Sequence, residues 1–275
     1  MISFPNCKIN LGLNVVRKRT DGYHDLETVF YPLPIYDVLE IIPAISTTGN
    51  DVAFTATGIP TGANDENNLC TKAYQLLKKD FPHLPPIQMH LHKTIPVGAG
   101  LGGGSADASF ALKLLAKLFD LNPDDRKLME LSLVLGSDCP FFMINKPCFA
   151  TNRGEILNLL TIDLGQYKLI LVNPGIHIRT AHAFSQVTPT TPEESIKEIL
   201  QLPISSWNGR LKNDFEAPLF KQYPEIGKIK DELYEAGAVY ASMSGTGSTV
   251  YGIFEKEKNV HLSFPSHYFT RELNL

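Results

Sequence analysis

Between residues 96 and 106 the chain reads Pro96-Val97-Gly98-Ala99-Gly100-Leu101-Gly102-Gly103-Gly104-Ser105-Ala106. Five glycines in seven positions, Gly98 to Gly104, remove side chains and permit positive φ, so successive backbone N–H groups can face one concavity. Apolar periodicity predicts a helix immediately afterwards, and its N-terminal end adds positive charge to the same concavity. The chemistry this suits is the binding of an anion, phosphate above all. A simple reversal needs one or two glycines, not five beside a helix start.

Three familiar phosphate loops do not fit. A Walker loop ends in Gly-Lys-Ser/Thr, and no lysine follows these glycines. Gly98, Gly100 and Gly103 meet the dinucleotide spacing, but the helical pattern runs into Asp120 and Asn122-Pro123 opens a second helix. No room is left for the strand that fingerprint requires. The His-Arg-Asp and Asp-Phe-Gly signatures of protein kinases are absent.

Chemistry at a bound phosphate also needs a base, and Asp138 is a candidate, just past a helix end and before the apolar stretch 139–144. The same residue type also caps or braces turns, and the spacing leaves both readings open. Lys8, on the polar face of the first strand, is either a solvated lysine or a partner for such a carboxylate. Asp107 lies in the first turn of the helix after the loop, where a negative charge aimed at a bound phosphate would repel it. It either faces away or helps to hold Mg²⁺. Tyr23, His24 and Phe30 offer flat aromatic faces and a hydrogen-bonding edge, or simply core packing. Ser244-Gly245-Thr246-Gly247-Ser248 is a second glycine-rich turn. His90 and His92 share one strand face, but no third ligand is evident, and they read as a solvent-facing strand edge.

The elements that must position these groups follow from periodicity. Residues 9–16 alternate apolar and polar, predicting a half-buried strand with Ile9, Leu11, Leu13 and Val15 inward. Asp21-Gly22 predicts a tight turn after it. Further strands are expected at 38–42, 53–56, 87–92, 168–172, 238–241 and 249–254. Helices are expected at 105–119 and from an Asn122 cap to Gly136. Residues 187–194 read as a loop. Strands and helices mixed without regular alternation predict an α+β fold.

The chain has 275 residues, enough for one large or two ordinary domains. A boundary is expected near 155–165, giving lobes at 1–157 and 158–275. The formal net charge of −4 and a pI near 6.1 exclude the electrostatics of a nucleic-acid or anionic-membrane binder. The four cysteines form no Cys-x-x-Cys pair, and no signal peptide or membrane-length apolar run is present, which predicts a cytoplasmic protein with reduced thiols.

The loop from Pro96 to Ala106 resembles the phosphate loop of the galactokinase, homoserine kinase, mevalonate kinase and phosphomevalonate kinase (GHMP) superfamily. Lys8-Ile9-Asn10-Leu11, Asp21-Gly22-Tyr23-His24, Leu135-Gly136-Ser137-Asp138-Cys139-Pro140-Phe141-Phe142 and Ser244-Gly245-Thr246-Gly247 follow in family order. Together they narrow the resemblance to the branch whose acceptor is a diphosphocytidyl sugar alcohol of the non-mevalonate isoprenoid route. The resemblance implies a two-lobed α+β GHMP-kinase-like fold with its active site in the cleft. The N-terminal lobe would carry a left-handed β-α-β unit, and the C-terminal lobe would be ferredoxin-like.

The resemblance also assigns roles. Asp138 is the base and Lys8 its partner. Asn10, Tyr23, His24, Phe30, Thr180 and Phe184 contact the cytidine-bearing substrate. Pro96 to Ala106 hold the phosphates of ATP, with Lys93 and Asn68 nearer the base and ribose, and Gly245 and Gly247 closing against the phosphates. Mg²⁺ comes with the nucleotide, held mostly by phosphate oxygens and water. The segment Asn213-Asp214-Phe215-Glu216 reads as structural support. A monomer or weak homodimer is expected. The rival readings are another GHMP kinase, acting on mevalonate, homoserine or a sugar, and a nucleotide-binding regulator that has lost its chemistry.

Overall fold

The computed structural model describes residues 1–44, 51–61 and 67–275, folded as two compact units. The first comprises Met1–Cys7, Pro34–Val97 and Gly102–Asn145; the second comprises Lys8–Leu33, Gly98–Leu101 and Lys146–Leu275.

In the first unit a four-stranded sheet has the order β1 (Ile2–Ser3), β4 (Val38–Pro43), β6 (Ile87–Lys93), β5 (Val52–Gly58). Strand β6 alternates strictly: Ile87, Met89, Leu91 and Lys93 are buried, whereas Gln88, His90 and His92 are exposed. Period-two alternation in a sheet covered on one side gives that pattern. Helix α1 (Leu69–Asp80) joins β5 to the parallel β6, making a β-α-β unit. Its N-cap is Asn68, whose side-chain oxygen accepts from the N–H of Cys70 at 2.9 Å. The buried positions Cys70, Ala73, Tyr74 and Leu77 recur at helical spacing and join one core with Leu112 and Leu115 of α2 (Gly103–Leu118).

Two helix starts differ from expectation. Helix α3 (Asp125–Leu135) is capped by Asp124, which accepts from the N–H of Lys127 at 2.6 Å; Asn122 instead takes φ 49° in the preceding turn. Asparagine tolerates that left-handed conformation, so the Asn-Pro signal marks the turn and not the cap. The apolar stretch after Asp138 is a short helix, α4 (Cys139–Ile144). His90 and His92 also lie on a central strand, not an edge, and both ring nitrogens meet the Thr57 hydroxyl at 2.9 Å.

The second unit holds most of the long strands β2 (Asn6–Lys18) and β3 (His24–Tyr36), in a sheet of order β2-β3-β7-β8 with β7 (Cys148–Asn152) and β8 (Ile156–Leu159). The Asp21-Gly22 turn between β2 and β3 is closed by Arg19 N–H to the Tyr23 carbonyl at 2.8 Å, with Gly22 at φ 86°. A second, antiparallel sheet has the order β10 (Tyr240–Met243), β11 (Val250–Glu255), β9 (Tyr167–Asn173), β12 (Phe269–Asn274). Helices α5 (Thr180–Gln186), α6 (Ile196–Ile199), α7 (Glu216–Gln222) and α8 (Pro224–Glu235) complete the unit, and residues 187–194 carry no regular structure. Leu13, Val15, Val172, Phe215, Ile226, Leu233 and Val250 share its core.

Strand β2 corrects one expectation. It is buried on both faces, its polar Lys8 and Asn10 being only 3% and 2% exposed. The polar face is satisfied internally. Asn10 donates to the Thr28 hydroxyl at 2.9 Å, its carbonyl accepts from Tyr251 Oη at 2.8 Å, and its N–H reaches Ser244 Oγ at 3.2 Å. No helix among the described residues is long and apolar enough to cross a membrane.

Candidate active site

The glycine loop is held by its carbonyls. Within the second unit the Ala99 carbonyl accepts from Thr249 N–H at 3.2 Å, the Gly100 carbonyl from Ser244 Oγ at 2.8 Å, and the Leu101 carbonyl from Lys8 N–H at 3.0 Å. Lys8 Nζ adds a longer contact to the Gly100 carbonyl at 3.3 Å. Three consecutive peptide dipoles are thus fixed on one wall by donors from β2 and the second glycine turn. Gly100, at φ 78°, has to be glycine twice over: the conformation disfavours a side chain, and a Cβ there would run into the Ser244 carbonyl. Ala99 and Leu101, between the glycines, are buried, whereas Val97 is exposed. The loop ends at Gly102, the N-cap of α2, so the first turn of a sixteen-residue helix follows it directly.

The second glycine turn is itself braced. Asn213 donates to the carbonyls of Met243 and Gly245 at 2.7 and 2.8 Å, and Glu216 accepts from Met243 N–H at 2.7 Å and from Ser242 Oγ at 2.8 Å. Gly245 lies against Gly100 and Asn10, and Gly247 follows it in the same turn. The structure therefore brings together Lys8, Asn10, Ala99, Gly100, Leu101 and Gly245, with Ser244 at the centre.

Lys8 Nζ donates to Asn10 Oδ1 at 2.6 Å and lies 5.0 Å from the centroid of Phe30. Phe30 is only 2% exposed. What it offers is an aromatic floor beneath the Lys8 ammonium, not an open stacking face. Asp138, in the first unit, stands at the N-cap position of α4, yet its side chain makes no capping hydrogen bond. The simple capping account of this aspartate therefore fails.

At the turn between β2 and β3 lie the other aromatic candidates. His24 and Phe184 stack with centroids 4.9 Å apart and planes at 20°, and Phe184 meets Phe215 edge-on at 4.9 Å. Burial, with the nearby Lys18 charge, holds His24 below the ordinary histidine range. Tyr23 is 54% exposed, with the Arg153 guanidinium 4.9 Å from its ring centroid. Thr180 opens α5 and is exposed.

Lys93 and Asn68 sit in the first unit. The Lys93 side chain, 2% exposed, is gripped by two carboxylates: Asp107 Oδ2 at 2.7 Å and Asp37 Oδ2. Asp37 Oδ1 accepts from the N–H groups of Thr94 and Ile95 at 2.6 and 2.9 Å. Burial would lower the Lys93 pKa, but Asp107 and Asp37 together outweigh it and hold it raised. Burial, reinforced by Asp37, pushes Asp107 up to about 7 against the opposing pull of Lys93. Asp107 Oδ1 is buried without a hydrogen-bond partner. Its carboxyl thus turns to Lys93, as the repulsion argument requires.

Sequence reasoning missed Ser244 as the hinge pin of the loop, Thr28 and Asn213 as buried supports, and Asp37 and Arg153 entirely. Ser244 and Asn213 stood in segments already singled out, but their contacts are long-range. Asp37, a lone aspartate between Tyr36 and Val38, carried no local signal. Among the described residues no group of three or more His, Cys, Asp or Glu could cage a metal ion.

The chain matches two protein families, described as GHMP kinases N terminal domain over residues 68–146 and GHMP kinases C terminal over residues 194–267. It is 52% identical over 258 residues to the 4-diphosphocytidyl-2-C-methyl-D-erythritol kinase of Parabacteroides distasonis, covering 93% of this chain and 92% of that protein. It is 50% identical to the protein of the same name from Bacteroides fragilis over 260 residues, 94% of each chain. A crystal structure of 4-(cytidine 5'-diphospho)-2C-methyl-D-erythritol kinase superposes with a TM-score of 0.78 at 30% identity, covering 92% of this chain and 90% of that one. A homoserine kinase of Cytophaga hutchinsonii, at 12% identity and a TM-score of 0.69, shares the fold, covering 98% of this chain and 94% of that one.

Proposed function

The chain belongs to the 4-diphosphocytidyl-2-C-methyl-D-erythritol kinases, a branch of the GHMP kinases, and from that premise we propose that it transfers the γ-phosphoryl group of ATP to the 2-hydroxyl of 4-diphosphocytidyl-2-C-methyl-D-erythritol. The products are ADP and the 2-phosphate, and the reaction serves isoprenoid precursor synthesis in the cytoplasm. The observation that best supports this reading is the binding of three consecutive glycine-loop carbonyls by Thr249, Ser244 and Lys8, which fixes the loop's peptide dipoles in the residues that lead directly into α2.

In this mechanism the loop and the first turn of α2 take the triphosphate. Phosphoryl transfer asks the protein for position and charge more than for covalent chemistry. Asp138 accepts the proton of the 2-hydroxyl as its oxygen attacks the γ-phosphorus, and the bond to the β,γ-bridging oxygen breaks to release ADP. Lys8 offers positive charge to the reacting oxygens, its ammonium held by Asn10 and the Gly100 carbonyl. Mg²⁺ arrives as part of the nucleotide substrate, shielding phosphate charge. Tyr23, His24 and Phe184 hold the cytosine, which enters by taking over the stacking face that His24 and Phe184 give each other. Thr180 lies at the same end, and Lys93 and Asn68 serve the nucleoside side from beneath, Lys93 through the loop stem and Asn68 through the cap of α1, with neither side chain touching ATP.

ADP release tests the reading directly, with purified protein, Mg·ATP and one acceptor at a time: the cytidine compound, mevalonate, homoserine or galactose. Turnover with the cytidine compound alone, abolished in Asp138→Asn, is expected. Turnover with another alcohol would move the chain to a different branch of the family. ATP binding with no turnover on any acceptor would make it a regulator.

A further inference from the structure

The glycine loop has two stems. It is entered from the end of β6 through Lys93, Thr94 and Ile95, and left through Gly103 into α2. The seven residues between Ile95 and Gly103 carry three glycines, and the carbonyls of Ala99, Gly100 and Leu101 are already held, so what is left to fix is the spacing of the two stems. The structure shows what joins the stems. Lys93, on the entry stem, is bound at 2.7 Å to Asp107 in the second turn of α2, on the exit stem. Asp37, arriving from the loop between β3 and β4, holds the Thr94 and Ile95 N–H groups and grips Lys93 as well. The stems also pack closely: a Cβ on Gly103 would come within 3.0 Å of Ile95 Cγ2 and 3.3 Å of Lys93 Nζ.

Burying two carboxylates around one ammonium is costly unless the geometry is demanded by something. Apolar side chains would pack these stems with less penalty, and one acid would suffice to pair the lysine. Here both acids are used, and Asp107 Oδ1 is left buried without a partner. Charged contacts have one property that apolar packing lacks: they fix direction and distance at once.

We infer that Asp37 and Asp107 are positioning residues of the nucleotide site, which through Lys93 clamp the two stems of the glycine loop at the spacing a triphosphate requires. Neither touches ATP. Their effect reaches it through the loop aperture and the set of α2. The proposal rests on the reading of residues 96–106 as the ATP loop. The groups facing Asp107 are Lys93 and Asp37, with the buried thiol of Cys70 and its raised pKa nearby.

The test measures ATP binding and steady-state kinetics for Asp107→Asn and Asp37→Asn, alone and in a Lys93→Met background. Both single variants should raise the Kd and KM for ATP about tenfold, while kcat stays within threefold and KM for the acceptor within twofold. In the Lys93→Met background neither substitution should add more than twofold, because the clamp is already open. The ATP Kd of the unmodified chain should also shift more between pH 6 and pH 8 than that of Asp107→Asn, whose remaining dependence is that of the nucleotide's own phosphate. Unchanged ATP affinity in the single variants would overturn the proposal, as would an equal loss of affinity for both substrates, which marks general loosening. If Asp37→Asn does not fold, Asp107→Asn and its pH profile decide the matter. An unmodified chain that binds no ATP would instead refute the loop reading itself.

Discussion

The Ser244 hydroxyl donates to the Gly100 carbonyl at 2.8 Å and accepts from the Asn10 N–H at 3.2 Å, so one side chain ties the glycine loop to β2. The residue is buried, and so is its partner Asn10. A hydroxyl is the one small group that can accept from a strand and donate to a loop at the same time. The loop's shape therefore depends on a residue far away in sequence.

Removing that tie should weaken ATP without touching chemistry. Ser244→Ala is expected to raise KM for ATP several-fold, in keeping with about 1 kcal/mol for a lost buried hydrogen bond. Gly100→Ala should be far worse, since a Cβ meets the Ser244 carbonyl and the positive φ is strained. Nucleotide titration of both variants checks the order; equal, small effects would sink the account of the loop.

Asp138→Asn keeps the size and shape of the residue and removes its basicity. The expected loss in kcat is about a hundred- to ten-thousand-fold, with ATP Kd within threefold of the parent. The thermal unfolding midpoint, measured on the same variant, separates this chemical loss from a structural one. A large drop in that midpoint would return the residue to a structural role.

At the aromatic end, Phe184→Ala should cost roughly tenfold in KM for the cytidine acceptor, the order expected for one lost stacking face. ATP should be unaffected. Arg153→Ala removes the cation over Tyr23, and about 0.5–1 kcal/mol for an exposed cation–π contact corresponds to a two- to fivefold rise in the same KM. Kinetics with both substrates varied separate these outcomes from a general defect.

The raised Asp107 carboxyl predicts a stability profile. The folded chain keeps a proton there that the unfolded chain has already released, so this contribution is complete at acid pH and is lost as pH climbs through about 7. Denaturant unfolding from pH 5 to pH 8 should show the parent losing stability relative to Asp107→Asn, with the difference levelling off above about 7. A constant difference across that range would contradict the raised value.

Much of this architecture was legible in the sequence because it is local. The alternation Ile87, Met89, Leu91 announces a one-sided strand, and the glycines from 98 to 104 before an apolar helical stripe announce an anion site. Period could not reveal that β2 is buried on both faces, since Lys8, Asn10 and Asn14 look like a solvated side until Thr28, Ser244 and Tyr251 are folded against them. Phe30 was read as a stacking surface for the same reason: an aromatic side chain declares its type but not its depth. Asp37 lay beyond reach altogether, because its partners Lys93, Thr94 and Ile95 sit 56 to 58 residues along the chain and no pattern connects them.

The division of the chain also sets an order of events on the ribosome. Every residue of the first unit has been made once Asn145 is joined, while strands β9 to β12 are still to be synthesised. Segment 8–33, made much earlier, must wait with Ile9, Leu11 and Val15 unburied until Asn213, Ser244 and Tyr251 emerge to meet it. The residues on either side of segment 8–33 can therefore mature before that segment does, and the nascent hairpin around Gly22 is the stretch that a chaperone has the longest opportunity to hold.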